Sequence, residues 1–274
     1  MAQSQTDPQA AAPRWTPPGV TIVIPNWNHE FVLPRSIRSA LQAVRSLREQ
    51  GVPAEILVID DGSRDGSHPL LRQLEALYFE QGLQVALLPK NGGVVNLRNI
   101  ALSLVHYRYI VFMDADNELI PENLHVFYRS IVATEAAVVY GDLIHHHPVS
   151  GYINLYSNAS FQSHMFNQNY IDTFALYDAA QIADVGGYKQ AEAIDGHEDW
   201  ELFLHLAALG RKLVFVPVVF GIYYELPQSN VKNARDRKPE RDLYAQRVFD
   251  QFGVRQLQPL RTRHLRYHPD IGYL

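Results

Sequence analysis

Blocks of apolar residues, each of strand or helix length, alternate along this chain with short polar stretches. Val20-Thr21-Ile22-Val23-Ile24, Glu55 to Ile59, Gln84 to Leu88 and Tyr109-Ile110-Val111-Phe112-Met113 are near-continuous apolar runs, the pattern of buried strands. Between them, apolar residues return at helical spacing. Ile37, Ala40, Leu41, Val44 and Leu47 form one face of a helix that begins near Leu33, with Pro34 in its first turn. Arg35, Arg38, Arg45 and Arg48 fall off that face and read as solvated. Leu70, Leu71, Leu74, Leu77 and Tyr78 stripe a second helix, and a third carries Arg98 and Asn99. Strands alternating with helices predict βαβ units, hence an α/β fold with a single Rossmann-like, mainly parallel mixed sheet flanked by helices. Right-handed crossovers then gather the loops that follow the strands along one edge.

Further along, Pro121 suits the first turn of a helix running to about Thr134, and Ala136 to Tyr140 reads as a strand. His145-His146-His147 would alternate faces on an extended chain, which favours a structural or solvent role over metal binding. Gly151 to Tyr188 has no clean period and is expected to wall a pocket. Trp200, Phe203, Leu204, Ala207 and Ala208 mark a buried helix that Gly210 ends, with Glu198 and Asp199 in its first turn. Leu213 to Val216 reads as a final strand, Tyr223 to Asn230 as a polar loop and Arg241 to Phe252 as a closing helix. Residues 1–18 read as a disordered leader, 19–235 as the main domain, and 236–274 as a helix and tail packing on it.

Composition narrows the chemistry. With 47% hydrophobic and 19% charged residues, the 274-residue chain has an ordinary globular balance. A net charge of -5 argues against a nucleic-acid protein, and the absence of cysteine excludes disulfides and thiolate metal sites. No apolar run reaches membrane-span length and no signal-peptide pattern opens the chain. A cytoplasmic protein is the default expectation.

The loops after the strands are acidic or rich in Asn and Gly: Asn26-Trp27-Asn28-His29-Glu30, Asp60-Asp61-Gly62-Ser63-Arg64-Asp65-Gly66-Ser67, and Asn91-Gly92-Gly93. Three such loops on one edge look like a nucleotide site, since open α/β sheets bind ligands at the carboxyl ends of their strands. Asp114-Ala115-Asp116 follows the fourth strand. Paired hard oxygen donors there suit Mg²⁺ or Mn²⁺ bound with substrate phosphates, although the same two acids could merely end a strand and cap a turn. Glu198 and Asp199 either stabilise their helix through its dipole or aim a carboxylate into a pocket. The dipole would lower the pKa, so a base here is expected to stay ionised.

In their order, these stretches resemble the family-2 glycosyltransferases with the GT-A fold, over roughly Val20 to Asn233. The likeness rests on Ile24-Pro25-Asn26-Trp27-Asn28, on Val58-Ile59-Asp60-Asp61-Gly62-Ser63-Arg64-Asp65-Gly66, and on Asn91-Gly92-Gly93 with Arg98-Asn99. It continues through Met113-Asp114-Ala115-Asp116, Gly186-Gly187-Tyr188 and Glu198-Asp199-Trp200-Glu201-Leu202. The resemblance implies an inverting, metal-dependent glycosyltransferase of hexosyltransferase type that uses a nucleotide sugar, UDP before GDP or dTDP. By position, Pro25, Asn26, Trp27, Asn28, Glu30, Asp60, Asp61, Asn91, Arg98, Asp114 and Ala115 would bind the nucleotide. Asp60 would accept the uracil imide N–H. Asp116 and Asp114 would hold Mn²⁺ or Mg²⁺, and Asp199 would be the general base with Glu198 as its understudy. The implied acceptor is a glycan or a lipid-linked glycan in polysaccharide, surface glycan or glycolipid synthesis. Peripheral contact with the inner face of the cell membrane and a homodimer are compatible with this.

One departure stands out. Many members carry Tyr-Arg-x-His-x-x-Ser near the end, whereas Tyr223-Tyr224-Glu225-Leu226-Pro227-Gln228-Ser229 puts Leu226 in the His place. Leucine cannot ligate a metal, so Glu225 or another group substitutes, or fewer protein groups hold the ion. That departure keeps a non-catalytic nucleotide-sugar-binding protein as an alternative. A nucleotidyltransferase fits less well, because its first loop should be Gly-rich and basic.

Overall fold

The computed structural model describes residues 17–147, 152–156, 169–189 and 198–226, with the short pairs 267–268 and 272–273. The chain opens with β1 (Val20–Asn26), α1 (Leu33–Glu49), β2 (Ala54–Asp60), α2 (Ser67–Tyr78), β3 (Leu83–Leu87), α3 (Val94–Leu104) and β4 (Tyr109–Phe112). β1 pairs in parallel with both β2 and β4, and β2 with β3. The apolar runs are continuous because each strand is covered on both faces. Ile22 and Ile24 pack with Ile37 and Val44 of α1, while Val23 between them packs with Leu97 and Ala101 of α3.

The second half departs from simple alternation. It contains β5 (Glu118–Leu119), α4 (Leu124–Thr134), β6 (Val138–His147), β7 (Tyr152–Tyr156), β8 (Leu176–Asp178), α5 (Ala179–Asp184), α6 (Glu198–Ala208) and β9 (Leu213–Tyr224). All nine strands join one mixed sheet in the order β3-β2-β1-β4-β8-β6-β9-β5, with β7 on β6. β8 runs antiparallel to both β4 and β6, whereas β6 and β9 are parallel. Two short strands, β10 (Tyr267–His268) and β11 (Gly272–Tyr273), pair antiparallel with each other.

Several sequence expectations change here. β9 extends through Tyr224, so Tyr223 and Tyr224 are strand rather than loop residues. The apparent stop at Val216 is a bulge: Val216 pairs with Gly141 and Val219 with Asp142, leaving Pro217 and Val218 between. Proline has no N–H for a ladder, and a bulge accommodates it. β6 likewise continues through His147, and two of its histidine rings meet β9, His145 against Tyr223 and His146 against Tyr224. α4 starts at Leu124 instead of Pro121, because β5 first pairs with β9 and Ile120 N–H bonds Phe220 O. The segment expected to wall a pocket supplies β7, β8 and α5; β8 is three residues long and wholly buried, too short to show a period. Residues 1–16 of the expected leader, Pro227 to Asn230, and the expected helix from Arg241 to Phe252 lie outside the described residues. No helix among the described residues is long and apolar enough to cross a membrane.

Candidate functional site

The loops after β1, β2 and β3 lock together through side chains that would otherwise be free to meet a ligand. Asp61 accepts the backbone N–H groups of Gly92 (2.9 Å) and Gly93 (2.8 Å), so the β2 loop holds the β3 loop. Asn28, at a φ of 59°, accepts Arg64 N–H at 2.7 Å, and its own N–H donates to Ser63 Oγ at 2.8 Å. Glu30 N–H donates to Asp65 Oδ2 at 3.0 Å, and Glu30 Oε2 accepts Gly66 N–H. Asn26 is buried and turns its amide onto Asp60. Asn91 Oδ1 accepts Gly93 N–H at 3.1 Å. Of the residues expected to bind the nucleotide here, Trp27 stands half exposed, open to a stacking partner. Asp61, Asn28 and Glu30 shape the loops.

Asp60, expected to accept the uracil imide N–H, lies among the side chains that join these loops. Its carboxylate is wholly buried and already takes hydrogen bonds from Asn26 Nδ2 (2.6 Å), Ser63 Oγ (2.7 Å) and Ser63 N–H (2.9 Å), with His68 Nε2 at 2.7 Å. A carboxylate offers about four acceptor positions, and Asn26 and Ser63 occupy three of them.

An acidic centre lies beside these loops. Asp114 and Asp116 emerge from the end of β4, and Glu198 and Asp199 open α6. Arg98, buried on α3, spans the two: Nη1 donates to Glu198 Oε1 at 2.9 Å, and Nη2 lies 3.8 Å from Asp114 Oδ1. Its guanidinium sits 5.3 Å from the Tyr188 ring centroid. Burial opposes its charge, but Tyr188, Asp114, Glu198 and Asp199 together hold its pKa above the ordinary arginine range. Arg98, expected to contact the nucleotide, makes these internal ion pairs.

Burial, and then the charge of Glu198, raise Asp199 to about 7. This corrects the expectation that a helix N-terminus keeps Asp199 ionised: loss of water outweighs the dipole. Asp199 Oδ1 accepts Trp200 N–H at 2.6 Å and Asn169 Nδ2 at 3.3 Å. Asp116 is likewise raised to about 7, by burial first and then by Asp114. Such a crowded pair is relieved by a cation, so the donor chemistry fits a hard divalent ion. Among the described residues no third acid or histidine completes a metal cluster, so such an ion would draw its remaining ligands from phosphate and water.

Helix α1 fixes the backbone of this acidic loop. Ser36 Oγ donates to Ala115 O and Arg35 Nη2 to Asp116 O, both at 2.6 Å. Arg35 also lies 3.3 Å from Glu118 and 3.6 Å from the centroid of Tyr224, whose hydroxyl donates to Glu118 at 2.6 Å. Arg35 is therefore not a merely solvated arginine. Ser36, and Ser39 whose Oγ accepts Leu119 N–H at 3.2 Å, could have been found, since they are polar residues on the apolar face of α1. Asp172, raised to about 6 chiefly by burial, was also missed; it precedes β8 in the segment without a period.

The model of the family described as "Glycosyl transferase family 2" matches residues 21–188, more than half of the chain. The chain belongs to this family. A relative described as "Glycosyltransferase GlyA", from Streptococcus pneumoniae serotype 4, is 24% identical over 176 residues, covering 58% of this chain and 23% of its own length. This family-2 chain thus spans less than a quarter of that relative. S. aureus TarS 1-349 in complex with UDP-GlcNAc superposes with a TM-score of 0.66 at 17% identity, over 88% of this chain and 68% of that one. The mannosyltransferase PcManGT of Pyrobaculum calidifontis, in complex with GDP-Man and Mn²⁺, gives 0.62 at 18% identity over 89% and 66%. These likenesses show the GT-A fold, with its mixed sheet between helices.

Proposed function

We propose that this family-2 chain is an inverting glycosyltransferase that moves a sugar from a nucleotide-sugar donor, a UDP-sugar, to a hydroxyl acceptor in polysaccharide, surface glycan or glycolipid synthesis. The observation that carries this is the bridge made by Arg98, which draws the Asp114 loop and the Glu198-Asp199 helix turn into one acidic centre. TarS is described in complex with UDP-GlcNAc, and PcManGT with GDP-Man and Mn²⁺, which supports the donor class.

In this reading the nucleotide lies against the half-exposed Trp27 and its diphosphate against Asp114 and Asp116. A divalent ion bound by those two acids would offset the negative charge that builds on the departing diphosphate. Glu198 is engaged by Arg98, so Asp199 is the base. It takes the acceptor hydroxyl proton as that oxygen forms its bond to the anomeric carbon. The bond from that carbon to the phosphate oxygen breaks in the same displacement, which inverts the centre. A base with a pKa near 7 matches its working pH, which favours proton transfer.

The test is the melting temperature of the full chain with UDP, GDP or dTDP, each with and without Mn²⁺. UDP should raise it, Mn²⁺ should enlarge the rise, and Asp199→Asn should keep the rise while abolishing transfer. A saturating ligand at about 100 times its dissociation constant adds roughly 2.7 kcal/mol, a shift of some degrees. No shift with any nucleotide would sink the donor-site reading, and wild-type transfer by Asp199→Asn would remove Asp199 as the base.

A further inference from the structure

Asp114-Ala115-Asp116-Asn117 forms one tight turn, closed by Asn117 N–H on Asp114 O at 3.0 Å. The carbonyls of its two central residues take no part in that bond, and α1 claims both. Ser36 Oγ donates to Ala115 O, and Arg35 Nη2 donates to Asp116 O. β9 holds the end of the turn, where Tyr224 N–H donates at 3.1 Å to Oδ1 of the wholly buried Asn117. The turn that carries both acids is thus gripped from two elements.

Arg35 is the member of this grip that is itself held. Its Nε lies 3.3 Å from Glu118 Oε1, the oxygen that also accepts the Tyr224 hydroxyl at 2.6 Å, and its guanidinium carbon lies 3.6 Å from the Tyr224 ring centre. Glu118 and Tyr224 belong to β5 and β9, which pair with each other. Arg45 on the same helix shows the solvated case: its side chain is 82% exposed and its ion pair is with Glu49, one turn on. The carbonyl and the carboxylate of Asp116 branch from one Cα. A donor that fixes the carbonyl therefore also sets the direction in which the side chain leaves the backbone.

Resting on the nucleotide-sugar reading above, we propose that Arg35 is a positioning residue for the cation and diphosphate site. It holds Asp116 through the main chain, and Glu118 and Tyr224 hold Arg35 in turn. Arg35 acts on the ion only through Asp116, in the way that contacts behind a metal ligand set its aim.

Calorimetric titration of the full chain with UDP, with and without Mn²⁺, reads this as the factor by which the ion tightens binding. In Arg35→Met, which keeps the stem but has no donor, that factor should fall by about tenfold, while ion-free UDP affinity changes far less. Arg35→Lys restores one charged donor without the planar fork, so it should stand between Arg35→Met and the wild type. Arg45→Met should match the wild type. A role in folding alone would lower the melting temperature and weaken UDP equally in both titrations. Such equal weakening, or an undiminished factor in Arg35→Met, would overturn the proposal. If Arg35→Met does not fold, an undiminished factor in Arg35→Lys overturns it. A wild-type chain that binds no UDP, or binds it no more tightly with Mn²⁺, would instead defeat the donor-site reading, a result distinct from a loss confined to the Arg35 variants.

Discussion

Arg98 is the residue on which the acids of the centre balance. It engages Glu198 at 2.9 Å, and among the described residues the neighbouring Asp199 takes backbone and amide donors. Adjacent helix residues point about 100° apart, so one of the two faces the guanidinium and the other does not. The proton affinity of Asp199 reflects burial and the charge of Glu198, held in check by Arg98. An ionised base is required, so the transfer rate should fall about tenfold per pH unit below about 7 and level off above it. Removing the restraining charge with Arg98→Ala should move that limb to higher pH. It should also destabilise the fold by about 3–5 kcal/mol, because Glu198 is left buried without its partner. A pH–rate profile and a urea titration of the same variant separate the two effects. An unmoved limb would show that Arg98 does not act on Asp199.

At the scale of elements, the edge is built from loops that brace one another. Gly62, at a φ of 68°, brings the β2 loop so close to the β3 loop that an added Cβ would lie 2.6 Å from Lys90 C and 2.8 Å from Asn91 N. Both obstacles are backbone, so Gly62→Ala should pry the loops apart, lower the melting temperature and weaken UDP binding by at least about tenfold, in line with about 1–3 kcal/mol for a strained backbone position. Wild-type affinity in that variant would mean the two loops need not touch. The glycine was visible in the sequence as part of an acidic, turn-forming loop. Its partner was not, because 28 residues separate Gly62 from Lys90 and only the pairing of β2 with β3 brings them together. β9 was underread for a similar reason, since Pro217 looks like a terminator until β6 supplies the opposing bulge.

Across the whole molecule, the centre trades stability for chemistry. Asp116, Asp172 and Asp199 are raised to about 7, 6 and 7 from an ordinary 3.8, each chiefly by burial. The native state therefore keeps protons that the unfolded chain has released. Their favourable contribution is complete below about pH 4 and is lost as pH rises through about 7. Asparagine at 199 imitates the protonated form at every pH. The melting temperature of Asp199→Asn should thus draw ahead of the wild type between about pH 4 and 7, and the gap should stay constant above that. Melting curves at matched ionic strength check this. A gap independent of pH would show that Asp199 is not held in its neutral form.

The sequence by itself determined the parallel half of the sheet, because strands buried on both faces leave continuous apolar runs and an amphipathic helix leaves a period. It also placed the acids of the centre at the ends of those elements, since Asp114, Asp116 and Asp199 follow or open segments whose ends the pattern marks. Only the tertiary structure decided what each polar group faces. It set Asp60 against His68, drew Arg35 onto the carbonyl of Asp116, and paired Arg98 with Glu198 across 100 residues of chain. Periodicity reports the contacts of neighbours along the chain. Burial, proton affinity and the filling of acceptor positions depend on groups that meet only when the strands are ordered in the sheet.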